Sequence, residues 1–247
     1  MEMFGSLISL DVTAKAGGIA LLSGVVLGYS GFGGALFMIP VLSLLIEPAH
    51  AVATTMIAAV IGQIPATLKA ARLAQWKECG PLLLASIVTM PVGVYLLASG
   101  DPQFVRRFVG FGTIVMASVL LVGWTYRGNR SPTASAMFGA MIGVFQGATG
   151  QGGPIAVAYF IAANVEPRLQ RANIVTAVMG MTFVLLVMMT FSRILTLDVM
   201  WFGLALGIPF SLGAWLGGYL FTAIPLKHYR RVIIALLFVA GASALLR

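Results

Sequence analysis

Residues 28–34 read Gly-Tyr-Ser-Gly-Phe-Gly-Gly, and residues 147–153 repeat this pattern as Gly-Ala-Thr-Gly-Gln-Gly-Gly. Four glycines therefore recur at a spacing of 119 residues, and Glu47-Pro48 recurs as Glu166-Pro167 at the same spacing. Both glycine clusters lie inside long apolar runs. A duplicated segment that glycines interrupt at membrane depth indicates a transport site.

The composition is that of a membrane protein. Of the 247 residues, 60% are hydrophobic and 9% are charged, whereas a soluble domain carries about 25% charged residues. The net charge of +8 is assigned to cytoplasmic loops rather than to nucleic-acid binding. With Cys79 as the single cysteine, the chain has no intrachain disulfide and no thiolate metal cluster. We expect no metal and no cofactor.

Charged residues and histidines divide the chain into eight long uncharged runs. These are 16–46, 51–68, 79–100, 108–126, 131–165, 172–192, 199–226 and 232–246. A transmembrane helix needs about 20 residues, so six of the runs fit one span each. Runs 16–46 and 131–165, which hold the glycine clusters, are too long for one upright span and too short for two. Each is predicted to be either a broken, tilted span or a re-entrant hairpin of two half-helices of about 13 residues.

The distribution of basic residues favours the hairpins. Eight full spans would divide Lys and Arg 8 to 7 between the two sides, whereas two re-entrant runs divide them 10 to 5. The ten that then share the cytoplasmic side are Lys69, Arg72, Lys77, Arg127, Arg130, Arg168, Arg171, Lys227, Arg230 and Arg231. Both termini are then periplasmic.

The predicted fold is thus an all-α integral membrane protein with two homologous halves, residues 1–126 and 127–247. Each half has one glycine-broken segment and three transmembrane helices. Because three is odd, the second half starts from the opposite face, and the halves form an inverted repeat.

The glycine breaks are predicted to bind an anion. Backbone left unpaired at membrane depth must be buried in protein or face a water-filled cavity. Gly33-Gly34 and Gly153-Pro154 are placed to start new half-helices, whose first N–H groups lack acceptors and carry positive dipole charge. No charged residue or histidine lies within the eight runs, which disfavours a cation site.

The candidate binding residues come from both glycine clusters and from neutral polar side chains in neighbouring runs. They are Ser30, Gly31, Phe32, Gly33, Gly34, Thr54, Gln63, Gln146, Thr149, Gly150, Gln151, Gly152, Gly153 and Asn173.

Each of these features also has a purely structural interpretation. The glycines permit tight helix packing, and the glutamines can tie helices together. Thr54, Thr55 and Thr176 are expected to pack and to satisfy their hydroxyls locally. Contact roles are expected for further glycines: Gly62, Gly139, Gly143, Gly217 and Gly218.

Charged residues at the span edges leave alternatives open. Glu47 and Glu166 are interpreted as helix N-terminal acids rather than as a gate or a proton-linked pair. His50 is expected at the surface and His228 in cytoplasmic solvent. Lys69, Arg72, Arg171 and Arg193 either attract anions or anchor the protein at the interface.

The sequence resembles the sulfite exporter TauE/SafE family. The resemblance rests on Gly31-Phe-Gly-Gly34 followed by Pro40 and Ala53-Thr54-Thr55, and on the second copy Gly150-Gln-Gly-Gly153-Pro154. It implies a permease that moves sulfite, sulfoacetate or aryl sulfonates across a bacterial inner membrane. The second half has Tyr159 and Ile174 in place of Pro40 and Thr55, so the half-sites need not be equivalent.

We therefore expect a secondary transporter of small sulfur-containing anions, not an enzyme. The expected partners are the anion and the lipid bilayer, with a proton or sodium ion for coupling and a homodimer as open possibilities. One alternative is an anion channel. Another is an intramembrane serine protease with Ser30 as its nucleophile, for which only His50 and His228 are available as bases.

Overall fold

In the computed structural model, the described residues are 10–31, 33–126, 128, 131–161, 166–223 and 226–246. Every regular element in these ranges is an α-helix, which confirms the all-α prediction for them. The helices are α1 (Leu10–Ser30), α2 (Gly34–Leu42), α3 (Pro48–Leu73), α4 (Trp76–Ser99), α5 (Pro102–Val122), α6 (Pro132–Thr149), α7 (Gly153–Phe160), α8 (Pro167–Phe191), α9 (Leu197–Ala223) and α10 (Leu226–Leu246).

Some predictions fall outside these residues. The predicted boundary between the halves lies at Arg127, which the structure does not describe. Arg130 and Arg247 are not described either. The side chains at the start of α10, which include Lys227, His228, Arg230 and Arg231, are also outside the description.

The described helices are sufficient for a multi-pass membrane protein. Five are long and apolar enough to cross a membrane: Asp11–Ser30, Trp76–Ser99, Pro102–Val122, Pro167–Phe191 and Leu197–Leu220. Helix α3 is a sixth candidate, in which Pro48–Ile64 and Ala66–Leu73 meet at a bend of 72°. The described apolar part of α10, Ile233–Leu246, is shorter than these spans.

The helical backbone is interrupted at both glycine clusters. Helix α1 ends at Ser30 and α2 begins at Gly34, while α6 ends at Thr149 and α7 begins at Gly153. Gly31, Gly33 and Gly150 have φ angles of 76°, 95° and 69°. Residues with side chains seldom adopt these angles, so the glycines place the breaks.

The expectation of equal half-helices of about 13 residues is wrong. The arms have 21 and 9 residues at the first break and 18 and 8 at the second. Helix α1 starts outside the uncharged run, because Asp11 lies in its first turn and pairs with Lys15 at 2.6 Å. The glycines, not the midpoint of the run, set where each helix stops.

In each broken pair, contacts join the longer helix to the shorter one. The hydroxyls of Ser135, near the start of α6, and Tyr159, near the end of α7, are 2.7 Å apart. In the other pair, Ala16 and Ala20 of α1 and Leu42 at the end of α2 belong to one buried apolar cluster, which also includes residues of α3 and α9.

The most extensive helix–helix contacts correspond between the two halves. Helix α1 packs against α9, and α6, which holds the equivalent place in the second half, packs against α4. Helix α3 packs against its own counterpart α8, and α5 packs against its counterpart α10. Exchanging the halves leaves these contacts unchanged.

Glycines make the closest of these contacts. A Cβ at Gly28 would lie 2.0 Å from the Ala214 carbonyl oxygen, and one at Gly147 would lie 2.4 Å from that of Met90. The first glycine of each cluster therefore serves helix packing. Gly139, Gly143 and Gly217 approach backbone as closely, and Gly62 meets the Phe210 ring, which confirms their contact roles. At Gly218, no atom of the described residues lies within 4 Å of a Cβ built there, although its backbone nitrogen lies 2.8 Å from the Cβ position of Gly28.

Candidate functional site

A cavity of about 60 Å³ lies between the two glycine breaks, and we call it the central cavity. Seven pairs of its lining residues are related by the spacing of 119. These are Leu27 and Gln146, Gly31 and Gly150, Gly34 and Gly153, Ala35 and Pro154, Met56 and Val175, Ala59 and Val178, and Gln63 and Thr182. The same positions in the two halves therefore build opposite walls of one space.

The start of α2 provides unpaired backbone donors at this cavity. The first intrahelical bond runs from the Phe37 N–H to the Gly33 carbonyl oxygen, at 3.2 Å. The N–H groups before it have no acceptor within the helix, and Gly33 supplies no side-chain cap. Gly33 and Gly34 both line the cavity, so this helix start points donors and positive dipole charge at it.

The second break is more fully paired than we expected. The Gly152 N–H donates to Gln146 Oε1 at 2.6 Å, and the Gln151 N–H donates to Thr149 Oγ1 at 3.2 Å. The Gly150 N–H donates to the Gln146 carbonyl oxygen at 2.8 Å. Pro154 occupies the first turn of α7, as predicted, and has no N–H to offer. The two breaks therefore differ, because Gln146 and Thr149 accept the N–H groups of residues 150–152 at the second one.

Gln151 lines the cavity, and its side chain forms hydrogen bonds with Thr113 of α5. The residue is 1% exposed, and its side-chain Nε2 donates to Thr113 Oγ1 at 2.9 Å. The Thr113 hydroxyl also lies 3.2 Å from Gln151 Oε1. Thr113 was not predicted from the sequence, since nothing in a single helix marks it as a partner of residue 151.

Gln63 is the polar side chain best placed to meet a solute. It lines the central cavity, and its amide makes no hydrogen bond with the described part of the chain. Its counterpart Thr182 also lines the cavity but donates its hydroxyl to the Val178 carbonyl oxygen at 2.9 Å. Adding 119 to residue 63 would have identified Thr182, which the sequence analysis missed.

Five of the predicted binding residues that the structure describes do not line the central cavity: Ser30, Thr54, Thr149, Gly152 and Asn173. Asn173 is fully buried and uses both ends of its amide on Gln75, at 2.8 Å and 3.3 Å. Thr149 donates to the Phe145 carbonyl oxygen at 2.8 Å, and Thr54 is also absent from the lining. Gly152 is buried against Gln146 behind the wall. Phe32 lies outside the described residues.

The threonine predictions have mixed outcomes. Thr55 donates to the Ala51 carbonyl oxygen at 2.7 Å, as expected of a locally satisfied hydroxyl. The expectation is wrong for Thr54 and Thr176, whose buried hydroxyls have no partner within the described residues.

The acids at the helix starts hold the predicted positions. Glu47 and Glu166 occupy the N-cap positions of α3 and α8, and neither makes a side-chain cap hydrogen bond. The expectation that His50 lies at the surface is wrong, because the residue is only 8% exposed. Its Nδ1 lies 3.4 Å from Glu47 Oε2.

A larger opening of about 730 Å³ adjoins the central cavity, and we call it the vestibule. The two share Gly31 and Gln63 among their lining residues. Ser30 lies in the vestibule rather than in the cavity, and its hydroxyl donates to the Val26 carbonyl oxygen at 2.6 Å. Lys69, Arg168 and Arg171 also line it.

Phe210 closes another part of the cavity wall. It is fully buried, and its ring carbons lie 3.1 Å and 3.0 Å from where a Cβ would be placed on Gly34 and Gly62. The ring therefore fills the space that these two glycines leave beside the start of α2. Phe210 follows Pro209, which lies inside α9 and deprives that helix of one backbone hydrogen bond.

Comparison with known proteins agrees with this architecture. The model of a family described as sulfite exporter TauE/SafE matches residues 16–244, which is almost the whole chain. Neither a curated protein nor a solved structure matches the chain. The match includes both glycine breaks and every residue that lines the central cavity. The chain belongs to the sulfite exporter TauE/SafE family.

Proposed function

We propose that this protein is a secondary transporter that binds a small sulfur-containing anion, such as sulfite or a small sulfonate, in the central cavity. The observation that carries the proposal is the lining itself. Seven pairs of residues at a spacing of 119 enclose one space between two helix breaks. Family membership supports the transport of sulfur oxyanions.

The proposed topology is an inverted repeat of residues 1–126 and 127–247. The contact between Ser135 and Tyr159 supports a re-entrant second pair, since it brings the two ends of that pair together. The first pair is proposed to enter from the opposite face. The basic residues near the vestibule then lie on the cytoplasmic side of a bacterial inner membrane, and both termini are periplasmic.

An anion fits the cavity better than a cation does. Among the described residues, no acidic side chain lines it, and its polar groups include the Gln63 amide and the start of α2. A small anion can be held by N–H groups and neutral amides at a helix start. A volume of about 60 Å³ exceeds by roughly four-fold the ~10–15 Å³ that one water molecule requires. That ratio suits an ion with few heavy atoms, such as sulfite, better than an aryl sulfonate.

The arrangement favours a carrier over a channel. The cavity adjoins the wide vestibule, while the Phe210 ring fills the space beside Gly34. A carrier exposes its site to one side at a time, usually by movement of one repeat against the other. A coupling proton or sodium ion and a homodimer stay predictions.

Binding and flux of sulfite and methanesulfonate by the purified protein would test the proposal. We expect saturable uptake into liposomes, and binding by calorimetry that Gln63→Ala weakens without loss of folded protein. Gln103→Ala, at an exposed position outside the cavity, is the matched control. Absence of binding and flux for every anion tested with folded wild-type protein would overturn the proposed function. Rates typical of a channel would overturn the carrier assignment.

A further inference from the structure

We propose that Lys69, Arg168 and Arg171 form an anion entrance on one face, and that the equivalent path from the other face carries no such charge. The inference rests on the proposed function and assigns a role to residues outside the binding cavity. The three side chains belong to two helices, α3 and α8, and all are exposed in the vestibule.

The positive charge in the vestibule is not neutralised by the described residues. No Asp or Glu lines it. Among the described residues, Lys15 pairs with Asp11 and His50 with Glu47, and neither pair involves the vestibule. Three cations therefore face a concave space that leads to Gly31 and Gln63 at the cavity.

The spacing of 119 locates the equivalent path in the other half of the bundle. Lys69 corresponds to Met188, Arg168 to Ala49 and Arg171 to Val52. Ala49 and Val52 are buried, at 7% and 0% exposure. The counterpart positions are thus uncharged, and two of them are closed by packing.

More of the counterpart path is filled with apolar side chains. Ala66 and Ala70 of the vestibule correspond to Leu185 and Met189, and both of these are fully buried. The vestibule residue Ile161 corresponds to Leu42, which is also fully buried. The structure is therefore open along one of two equivalent routes, and the open route is the basic one.

Electrostatics then make the two faces unequal. A cleft that is lined by one sign of charge raises the local concentration of the opposite ion by about 10-fold to 1,000-fold, and salt suppresses this effect. An anion is collected at the vestibule face and leaves by the uncharged route on the opposite face. This arrangement lowers KM on the vestibule face alone.

The test compares transport in membrane vesicles of both orientations. We expect the triple variant Lys69→Gln, Arg168→Gln, Arg171→Gln to raise the KM for sulfite about 10-fold at low salt, in one orientation only. The maximal rate should change much less. Near 1 M salt, where the screening length is about 3 Å, wild type and variant should converge.

Two matched variants separate charge from structure. Arg171→Lys should keep the wild-type KM, because it keeps the positive charge. Arg72→Gln should also keep it, because Arg72 is exposed at the same end of α3 without lining the vestibule.

The outcomes are distinct. If wild type transports sulfite and the triple variant has the same KM in both orientations, the entrance is refuted while the proposed function stands. A KM increase that is equal in both orientations, or that persists unchanged at high salt, also refutes it. If wild-type protein transports no anion, the proposed function fails first.

Discussion

Replacing Gln146 with glutamate would place a negative charge beside the proposed anion. Gln146 is 3% exposed and lines the central cavity. The carboxylate that replaces its amide can still accept the Gly152 N–H, which now lies 2.6 Å from Oε1. The change from Gln146 to Glu therefore tests the sign of the charge that the cavity prefers with little change in side-chain shape.

The expected loss of affinity follows from Coulomb's law. Two unit charges roughly 5 Å apart, at an effective dielectric constant of about 20, repel by about 3 kcal/mol. This energy corresponds to a weakening of the Kd by roughly 100-fold. A neutral variant, Gln146→Leu, leaves the buried Gly152 N–H unpaired and should cost about 1–3 kcal/mol of stability. It should weaken the Kd far less than the charged variant does.

Calorimetric titration with methanesulfonate measures this effect. Because methanesulfonate stays ionised over the pH range of the experiment, the charge of the ligand does not change with pH. Acidification that protonates the new carboxyl group should restore binding to Gln146→Glu and leave wild type unchanged. Gln103→Glu, an exposed change at the start of α5, is the control for added charge. Wild-type affinity for Gln146→Glu at both neutral and alkaline pH would refute the assignment of the central cavity as an anion site.

Four further variants test helix packing and buried hydrogen bonds. Gly217→Ala, which would place a methyl carbon 2.2 Å from a backbone oxygen of α1, should destabilise the protein by about 1–3 kcal/mol in reversible unfolding from mixed micelles. Gly218→Ala, with open space around it, should be neutral or stabilising by up to about 1 kcal/mol, and equal losses for both would contradict the packing. Asn173→Ala should lower the stability by about 1–3 kcal/mol, because Gln75 loses its hydrogen-bond partner, but it should keep the wild-type Kd for the anion. A large rise in Kd would instead indicate that Asn173 belongs to the binding site. Tyr159→Phe should lower stability by about 0.5–1.5 kcal/mol through loss of the hydroxyl contact at the start of α6, whereas an unchanged unfolding free energy would mean that this contact does not hold the pair of helices together.

The broad architecture was predictable from the sequence for simple reasons. Burying a long apolar run in lipid forces its backbone into helices, so composition alone predicted an all-α membrane protein. The glycines at 31, 33 and 150 have φ angles that other residues avoid, so their duplication predicted where the helices break. The spacing of 119 also predicted that the two breaks are equivalent positions, and the paired lining of the cavity is consistent with that prediction.

The roles of individual side chains depended on the tertiary structure. The sequence could not distinguish the roles of Gln63 and Asn173. Gln63 lines the cavity, whereas the side-chain amide of Asn173 is hydrogen-bonded to Gln75, which is 98 residues away along the chain. Both are neutral amides in apolar runs, and only the packing of α3 against α8 decides which one points at solute. Nor could sequence show that Gln146 caps the second break or that Lys69 and Arg171 share one opening. A chain fixes where its backbone can break, because that is a local property of each residue, whereas the neighbours of a side chain are set by helices that meet only in the folded bundle.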